Sequence, residues 1–164
     1  MTPDRSTINP RVYALTFTAF VMLSSEFIVA GLLPEIATSL AITIGAASGL
    51  VTAFALGMSI SAPIIGVLAH RASKRSLLIA ACVALVLGNG ISAVFSDHYI
   101  ILIGRVPGGI GVAVFWKNAA LAAKSLSQGR SESVAIGRVL VGISIASVVG
   151  VPVGKLIADA TNWR

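Results

Sequence analysis

The stretch VYALTFTAFVMLSSEFIVAGLL, residues 12–33, contains a single charged side chain, that of Glu26. As a helix it is long enough to cross a hydrocarbon core of about 30 Å, at about 1.5 Å per residue. An ionisable group within hydrocarbon is costly, and it usually faces a water-filled path or a partner. We therefore predict that this stretch spans a membrane and that Glu26 has a specific role there.

The composition of the whole chain is that of a membrane protein. Its 164 residues are 56% hydrophobic and 11% charged, with a mean hydropathy of +0.95, whereas a soluble domain carries about 25% charged residues. The net charge of +6 does not indicate a nucleic-acid partner, because the basic residues lie between apolar runs. Cys82, the only cysteine, also lies in an apolar run, and we interpret it as a small core residue.

Five apolar segments have the length of membrane-spanning helices. They cover residues 12–33, 46–69, 77–95, 100–121 and 135–158. The predicted fold class is therefore all-α, a polytopic transmembrane helix bundle with a five-span domain over residues 12–158.

The basic residues predict the orientation of these spans. The connections at 34–45 and 96–99 contain neither Lys nor Arg. Basic residues lie in the alternate connections: Arg5, Arg11, Arg71, Lys74, Arg75, Lys124 and Arg130. Because basic loops stay in the cytoplasm, we predict that residues 1–11 form a cytoplasmic N-terminal segment of a multi-pass protein in the inner or plasma membrane.

Two spans that cross in opposite directions share a short pattern. PIIGVLAHRA, from Pro63, and PVGKLIADA, from Pro152, contain Pro, Gly, Leu and Ala in the same order when one-residue gaps are allowed. Inverted three-helix repeats produce such a pairing, and transporters are often built from them. A complete second repeat needs a sixth span. We therefore expect an incomplete six-helix half, with residues 159–164 as a truncated link to a missing span.

Three further stretches combine glycine with charge or proline. GVLAHRASKRS, from Gly66, connects spans two and three, and its basic residues can anchor both helices to lipid headgroups. GRVPGGIGVAVFW lies in span four and GISIASVVGVPVGK in span five. Small residues spaced four positions apart, such as Gly104 and Gly108, let helix backbones approach closely. We interpret the glycines first as packing residues and only second as ligand contacts.

Together these stretches resemble the signatures of the major facilitator superfamily. In the loop, Gly66, Ala69, Arg71, Lys74 and Arg75 match the family's cytoplasmic signature, whereas His70 stands in place of its acid and Ser73 in place of its second glycine. The acid is thought to help to lock the cytoplasmic side in that family. The resemblance therefore does not extend to this latch, because a neutral His70 cannot make the same contacts.

The signatures in spans four and five, with the first helix, resemble one branch of that family. In span four the matching residues are Arg105, Gly109 and Gly111; in span five they are Gly142, Gly150, Pro152 and Gly154, without the family's tight Gly-Pro and final Gly-Gly pairs. The first helix and the closing NWR resemble the drug-, sugar- and nucleoside-efflux branch, whose bacterial members include arabinose, purine-nucleoside and chloramphenicol exporters. The resemblance implies a proton-coupled antiporter with a central cavity lined by the first and fourth helices.

Glu26 and Arg105 are the candidate coupling residues. Glu26 lies seven residues before the end of span one, and Arg105 lies five residues after the start of span four, so their depths in the membrane are similar. Two readings stay open. In the structural reading the two groups form an ion pair in which each charge lowers the desolvation cost of the other, or each finds water. In the functional reading they are a proton-linked carboxylate beside a substrate-facing cation.

The function predicted from these features is secondary active transport, with proton-coupled efflux of small organic solutes by alternating access. The expected partners are a small-molecule substrate, protons, the lipid bilayer and the missing C-terminal part of the same transporter. The alternatives are an uptake carrier of the same superfamily and an accessory membrane protein that transports nothing itself. No cofactor, metal site or enzyme activity is expected, since the sequence has neither a metal-ligand cluster nor a phosphate-binding loop.

Overall fold

The computed structural model describes residues 9–68, 72–127 and 132–160, with only the backbone for residues 64–68. Six helices make up these ranges: α1 (Pro10–Gly31), α2 (Leu33–Ser39), α3 (Ile44–Leu68), α4 (Lys74–Val94), α5 (His98–Leu126) and α6 (Glu132–Ala160). All except α2 are long and apolar enough to cross a membrane, and the described ranges contain no strand. The predicted all-α bundle with five membrane-spanning helices is confirmed.

The first span ends earlier than predicted, and a short helix follows it. α1 stops at Gly31, and α2 occupies part of the segment 34–45 that we expected to be a loop. Pro34 explains both differences. It lacks a backbone N–H and restricts the residue before it, so it interrupts a helix, yet its fixed φ suits the first turn of the next one. Glu35 in that first turn is also favourable for the helix dipole.

Polar side chains fix where the other helices begin. Ser73 accepts a hydrogen bond from the backbone N–H of Ser76 at 3.1 Å and thereby caps α4. Asp97 accepts from Tyr99 and Ile100 at 2.9 and 3.1 Å and caps α5. α5 and α6 extend beyond the apolar segments to 29 residues each, or about 43 Å.

Three helix pairs build the bundle. α1 packs along α6 and α3 packs along α5; both pairs are parallel, because contacts advance in the same direction on both helices (Gly142 with Thr16, then Gly150 with Ser24). α4 packs antiparallel to α5, with Gly88 against Gly104 and Ala81 against Gly111. Two parallel pairs, formed by spans one and five and by spans two and four, are the arrangement that inverted three-helix repeats generate.

The core lies between these pairs, and the outside is apolar. Phe54, Phe115, Met22 and Val112 are fully buried or nearly so. Large aliphatic and aromatic side chains cover the outer faces of the spans, among them Phe17, Val86, Ile103, Val148 and Leu156, each at least 66% exposed. An apolar exterior of this extent is suited to contact with lipid.

The two ends of the bundle differ in charge. The end at which α1, α4 and α6 begin, here called the basic end, carries Arg11, Lys74, Arg75, Lys124 and Arg138. There Lys124 pairs with Glu132 at 3.0 Å across the connection between α5 and α6. The opposite end, called the α2 end, has an ion pair of 3.8 Å between Lys155 of α6 and Glu35 of α2.

Candidate functional site

Arg105 lies in the interior of the bundle. Its side chain projects from α5, and the residue is 3% exposed. The Cζ atom lies 4.5 Å from the ring centroid of Phe54, which α3 contributes and which is fully buried. A guanidinium stacked on an aromatic face at this distance is stabilised by the ring quadrupole, by about 2 kcal/mol when water is excluded. The aromatic ring compensates part of the cost of burying the charge.

Asn89 joins Arg105 to α1. Arg105 Nη1 donates to Asn89 Oδ1 at 3.5 Å, and Asn89 Nδ2 donates to Ser25 Oγ at 2.7 Å. The chain of hydrogen bonds therefore runs from α5 through α4 to the residue before Glu26. Asn89 is not among the site residues predicted from the sequence. The signal was present, since this side-chain amide stands between Gly88 and Gly90 in an otherwise apolar span.

Close contact between α4 and α5 explains why Asn89 reaches Arg105. A Cβ atom added at Gly88 would lie 2.6 Å from the carbonyl oxygen of Gly104, and one at Gly104 would lie 2.7 Å from Ile91 Cγ2. The two backbones can approach this closely only because both positions lack a side chain. Each glycine directly precedes one partner of the Asn89–Arg105 hydrogen bond.

Part of the hydrogen-bonding capacity of Arg105 is unused. Its Nε and Nη2 atoms are buried and have no hydrogen-bond partner in the part of the chain that the structure describes, and the same holds for Ser24 Oγ. Unpaired buried donors, above all on a charged group, are costly and uncommon in folded proteins. The interior around Arg105 therefore has donors available for a further polar partner.

Glu26 is near this cluster but not in contact with its cation. The side chain is half-buried on α1, and its charge interacts with that of Arg105. Within residues 9–68, 72–127 and 132–160, however, Glu26 forms neither an ion pair nor a hydrogen bond. The structure thus brings the two predicted coupling residues into the same polar cluster without forming a direct ion pair between them.

The glycines of the span-four and span-five signatures are at helix–helix contacts. A Cβ atom at Gly109 would overlap the carbonyl oxygen of Phe54, and one at Gly142 would overlap that of Thr16. Similar crowding is found for Gly111 against Ala81 and for Gly154 against Ile28, whereas a Cβ atom at Gly150 would make an ordinary van der Waals contact with Ser24. Pro152 lies inside α6. This geometry favours the packing interpretation, and in span four it also holds the Phe54 platform against α5.

The cytoplasmic-loop signature is only partly described. Gly66 lies in α3, whereas Ala69, His70 and Arg71 lie outside the described residues. Lys74 and Arg75 are exposed in the first turn of α4. With Arg11 they line an open groove of about 580 Å³ between α1, α4 and α5 at the basic end.

The described residues hold no group of three or more His, Cys, Asp or Glu side chains that could bind a metal ion. The polar cluster around Arg105 consists of Asn89, Ser24, Ser25 and Glu26, and Ser61 and Asn118 are further buried polar residues of the bundle. The cluster can exchange a proton at the carboxylate and can donate hydrogen bonds from the guanidinium.

Comparison with known proteins gives the family. The sequence model of the Major Facilitator Superfamily matches residues 15–164. The chain is 33% identical over 93% of its length to a chloramphenicol resistance protein of Streptomyces lividans, and 29% identical over 96% to the inner membrane transport protein YdhP of Escherichia coli. It is also 29% identical over 94% to a probable sugar efflux transporter of Pasteurella multocida. It spans about two-fifths of the length of these relatives, 39%, 40% and 38% respectively. The predicted family is thereby confirmed: the chain belongs to the major facilitator superfamily, a family of membrane transporters rather than enzymes.

Proposed function

We propose that this chain forms part of a secondary transporter that exports small organic solutes in exchange for protons. The observation that carries the proposal is the half-buried carboxylate of Glu26 on α1, next to Ser25, which the Asn89 amide links by hydrogen bonds to the buried Arg105. The three helices involved, α1, α4 and α5, are long and apolar enough to cross a membrane. Relatives described as a chloramphenicol resistance protein and a sugar efflux transporter support a drug or sugar substrate. Since the chain spans two-fifths of their length, the proposal includes further spans that complete the transport path.

In this mechanism Glu26 is the proton carrier. The carboxylate is not fixed in an ion pair, so it is free to take up a proton from one side of the membrane and release it to the other. Protonation removes a negative charge near Arg105 and so changes how strongly the guanidinium attracts an electron-rich group of the substrate. The unpartnered Nε and Nη2 donors of Arg105 are the groups that would bind such a substrate oxygen.

The basic end supports an orientation with the N-terminus in the cytoplasm. Arg11, Lys74 and Arg75 are exposed there, and basic connections are retained on the cytoplasmic side. In that orientation α1 runs outward, and proton-driven export moves the substrate from the basic end toward the α2 end.

Transport into inverted membrane vesicles tests the proposal. Vesicles containing the complete transporter are given an acid interior, and accumulation of radiolabelled chloramphenicol and arabinose is measured. We expect gradient-dependent accumulation of at least one probe, with loss of accumulation in Glu26→Gln. Glu132→Gln is the matched control. This glutamate pairs with Lys124 at the basic end, outside the polar cluster around Arg105, so the variant should retain transport.

Two results would count against the proposal. Accumulation of neither probe above that of vesicles without the protein would refute export of these two substrate classes. Gradient-driven accumulation that persists in Glu26→Gln would remove Glu26 as the proton carrier.

A further inference from the structure

Asn89 is the polar side chain that contacts both α5 and α1 at the level of the coupling residues. Its oxygen faces Arg105 Nη1 and its nitrogen faces Ser25 Oγ. The orientation of the amide is dictated by chemistry, because a guanidinium has donors only and needs the amide oxygen as its acceptor. The amide nitrogen is then left to donate to the hydroxyl of Ser25. The Asn89 amide thus binds both the Arg105 guanidinium and Ser25, the residue directly before Glu26 on α1.

The partners of the guanidinium come from helices other than α1, which carries Glu26. Phe54 contacts it from α3 and Asn89 from α4, whereas the carboxylate is on α1 and forms no ion pair in the described ranges. The attraction between opposite charges grows as their separation falls, so contacts that bind the guanidinium elsewhere oppose its approach to the carboxylate. Phe54 attracts the face of the guanidinium, and Asn89 attracts one of its edges.

No other described charge faces Glu26 from the helices that pack on α1. α3 contains no charged residue between Ile44 and Leu68. α6 carries its charges toward its two ends: Glu132, paired with Lys124, and Arg138, which donates to Tyr13 Oη at 2.8 Å, at the basic end, and Lys155, paired with Glu35, and Asp159 at the α2 end. α5 carries Arg105 at the level of Glu26, whereas Lys117 is exposed and Lys124 pairs with Glu132 at the basic end. The position of Arg105 is therefore the main variable in the charge environment of Glu26.

We propose that Asn89 is a positioning residue that holds the Arg105 guanidinium out of a direct ion pair with Glu26. The inference deepens the proposed function and rests on it for its biological meaning: the carboxylate can carry a proton because the cation is near it but bound elsewhere. A fully formed ion pair at this site would keep Glu26 charged and unavailable for proton transfer.

The titration of Glu26 in the purified chain tests this role. The sequence contains three glutamates, Glu26, Glu35 and Glu132, so selective ¹³C labelling of glutamate gives three side-chain carboxyl signals. These are assigned with Glu35→Gln and Glu132→Gln and are followed against pH in lipid nanodiscs. The measurement needs neither substrate nor transport.

Substitutions of Asn89 are expected to move the Glu26 midpoint in opposite directions. In Asn89→Leu the guanidinium loses its amide partner and pairs with Glu26, so the midpoint moves to lower pH by about one unit or more. In Asn89→Asp the new carboxylate binds Arg105 more strongly, so the midpoint moves to higher pH. Ser92→Ala is the control on the same helix, since that hydroxyl bonds only to the carbonyl of Gly88 at 3.2 Å, and it should leave the midpoint unchanged.

A purely structural role of Asn89 would give another pattern. Unchanged Glu26 midpoints in both variants, or shifts in the same direction, would overturn the proposal; Asn89→Ala replaces Asn89→Leu if the latter does not fold. The two proposals fail separately. Opposite midpoint shifts, combined with export that persists in Glu26→Gln, would retain the role of Asn89 and refute the proposed function. Unchanged midpoints, combined with export that is lost in Glu26→Gln, would refute only the role of Asn89.

Discussion

The guanidinium of Arg105 lies over the ring of Phe54, with 4.5 Å between Cζ and the ring centroid. The backbone of Phe54 is in turn pressed against Gly109, one turn further along α5 from Arg105. The arginine and the small residue of the span-four signature thus act on the same phenylalanine of α3, one through its ring and the other through its carbonyl. The spacing between them places the cation and its aromatic support in one helix–helix contact.

Replacement of Gly109 by alanine should destabilise the protein, whereas the same replacement at Gly90 should not. Gly109→Ala places a Cβ atom on the Phe54 carbonyl oxygen and forces α3 and α5 apart, whereas a Cβ atom at Gly90 has no neighbour within 4 Å. We expect Gly109→Ala to lower the free energy of unfolding by about 1–3 kcal/mol. Gly90→Ala should leave it unchanged or raise it by up to about 1 kcal/mol, because alanine is the better helix former.

Thermal or denaturant unfolding of the two variants in the same detergent gives the comparison. Equal losses of stability in Gly109→Ala and Gly90→Ala would show that the α3–α5 contact is not as tight as described.

Glu26→Gln should fold almost normally. The carboxylate of Glu26 is half-buried and has no ion-pair or hydrogen-bond partner within the described ranges, so its replacement by an amide of similar size removes no direct contact. We expect the free energy of unfolding to change by less than about 1 kcal/mol. Breaking a buried ion pair typically costs about 3–5 kcal/mol.

The double variant Glu26→Gln with Arg105→Gln separates the two readings of the pair. A large loss in Glu26→Gln that is partly restored in the double variant would establish the structural ion pair. Unfolding measured on the single and double variants at equal protein concentration is the test.

The orientation of the bundle can be read from cysteine accessibility. Cys82 is the only native cysteine, so Cys82→Ser provides a background for single cysteines at Ser73, at the basic end, and at Thr38, on α2; both positions are exposed. We expect a membrane-impermeant maleimide to label Thr38→Cys in intact cells. It should label Ser73→Cys only after the cytoplasmic side has been opened. The reverse pattern would place the N-terminus outside.

Much of the fold can be predicted from hydrophobicity. The errors of that prediction arise where local chemistry decides the end of a helix. Long apolar runs are sufficient to predict five membrane-spanning helices, because a backbone in hydrocarbon must satisfy its hydrogen bonds within the helix. The end of the first span was misplaced at Leu33, since hydrophobicity continues through Leu32 and Leu33 while Pro34 already determines the break. The helix α2 was missed for the same reason.

The candidate site was only partly predictable. Glu26 and Arg105 stood out because charges are rare in apolar segments. Phe54 and Asn89 did not, because their contacts with Arg105 depend on how α3 and α4 are aligned along α5. That alignment is set by close approaches at Gly88, Gly104 and Gly109, which a single sequence does not show.

The most direct test of the account is the titration of Glu26 with and without the charge of Arg105. In Arg105→Ala the cation that favours the carboxylate is gone, so protonation becomes easier and the midpoint of the Glu26 ¹³C signal should move to higher pH, by about one unit for charges several ångströms apart. Lys155→Ala, which removes a cation beside Glu35, should leave the Glu26 midpoint in place. A Glu26 midpoint that is the same in the native chain and in Arg105→Ala would contradict the claim that these two residues form one coupled site.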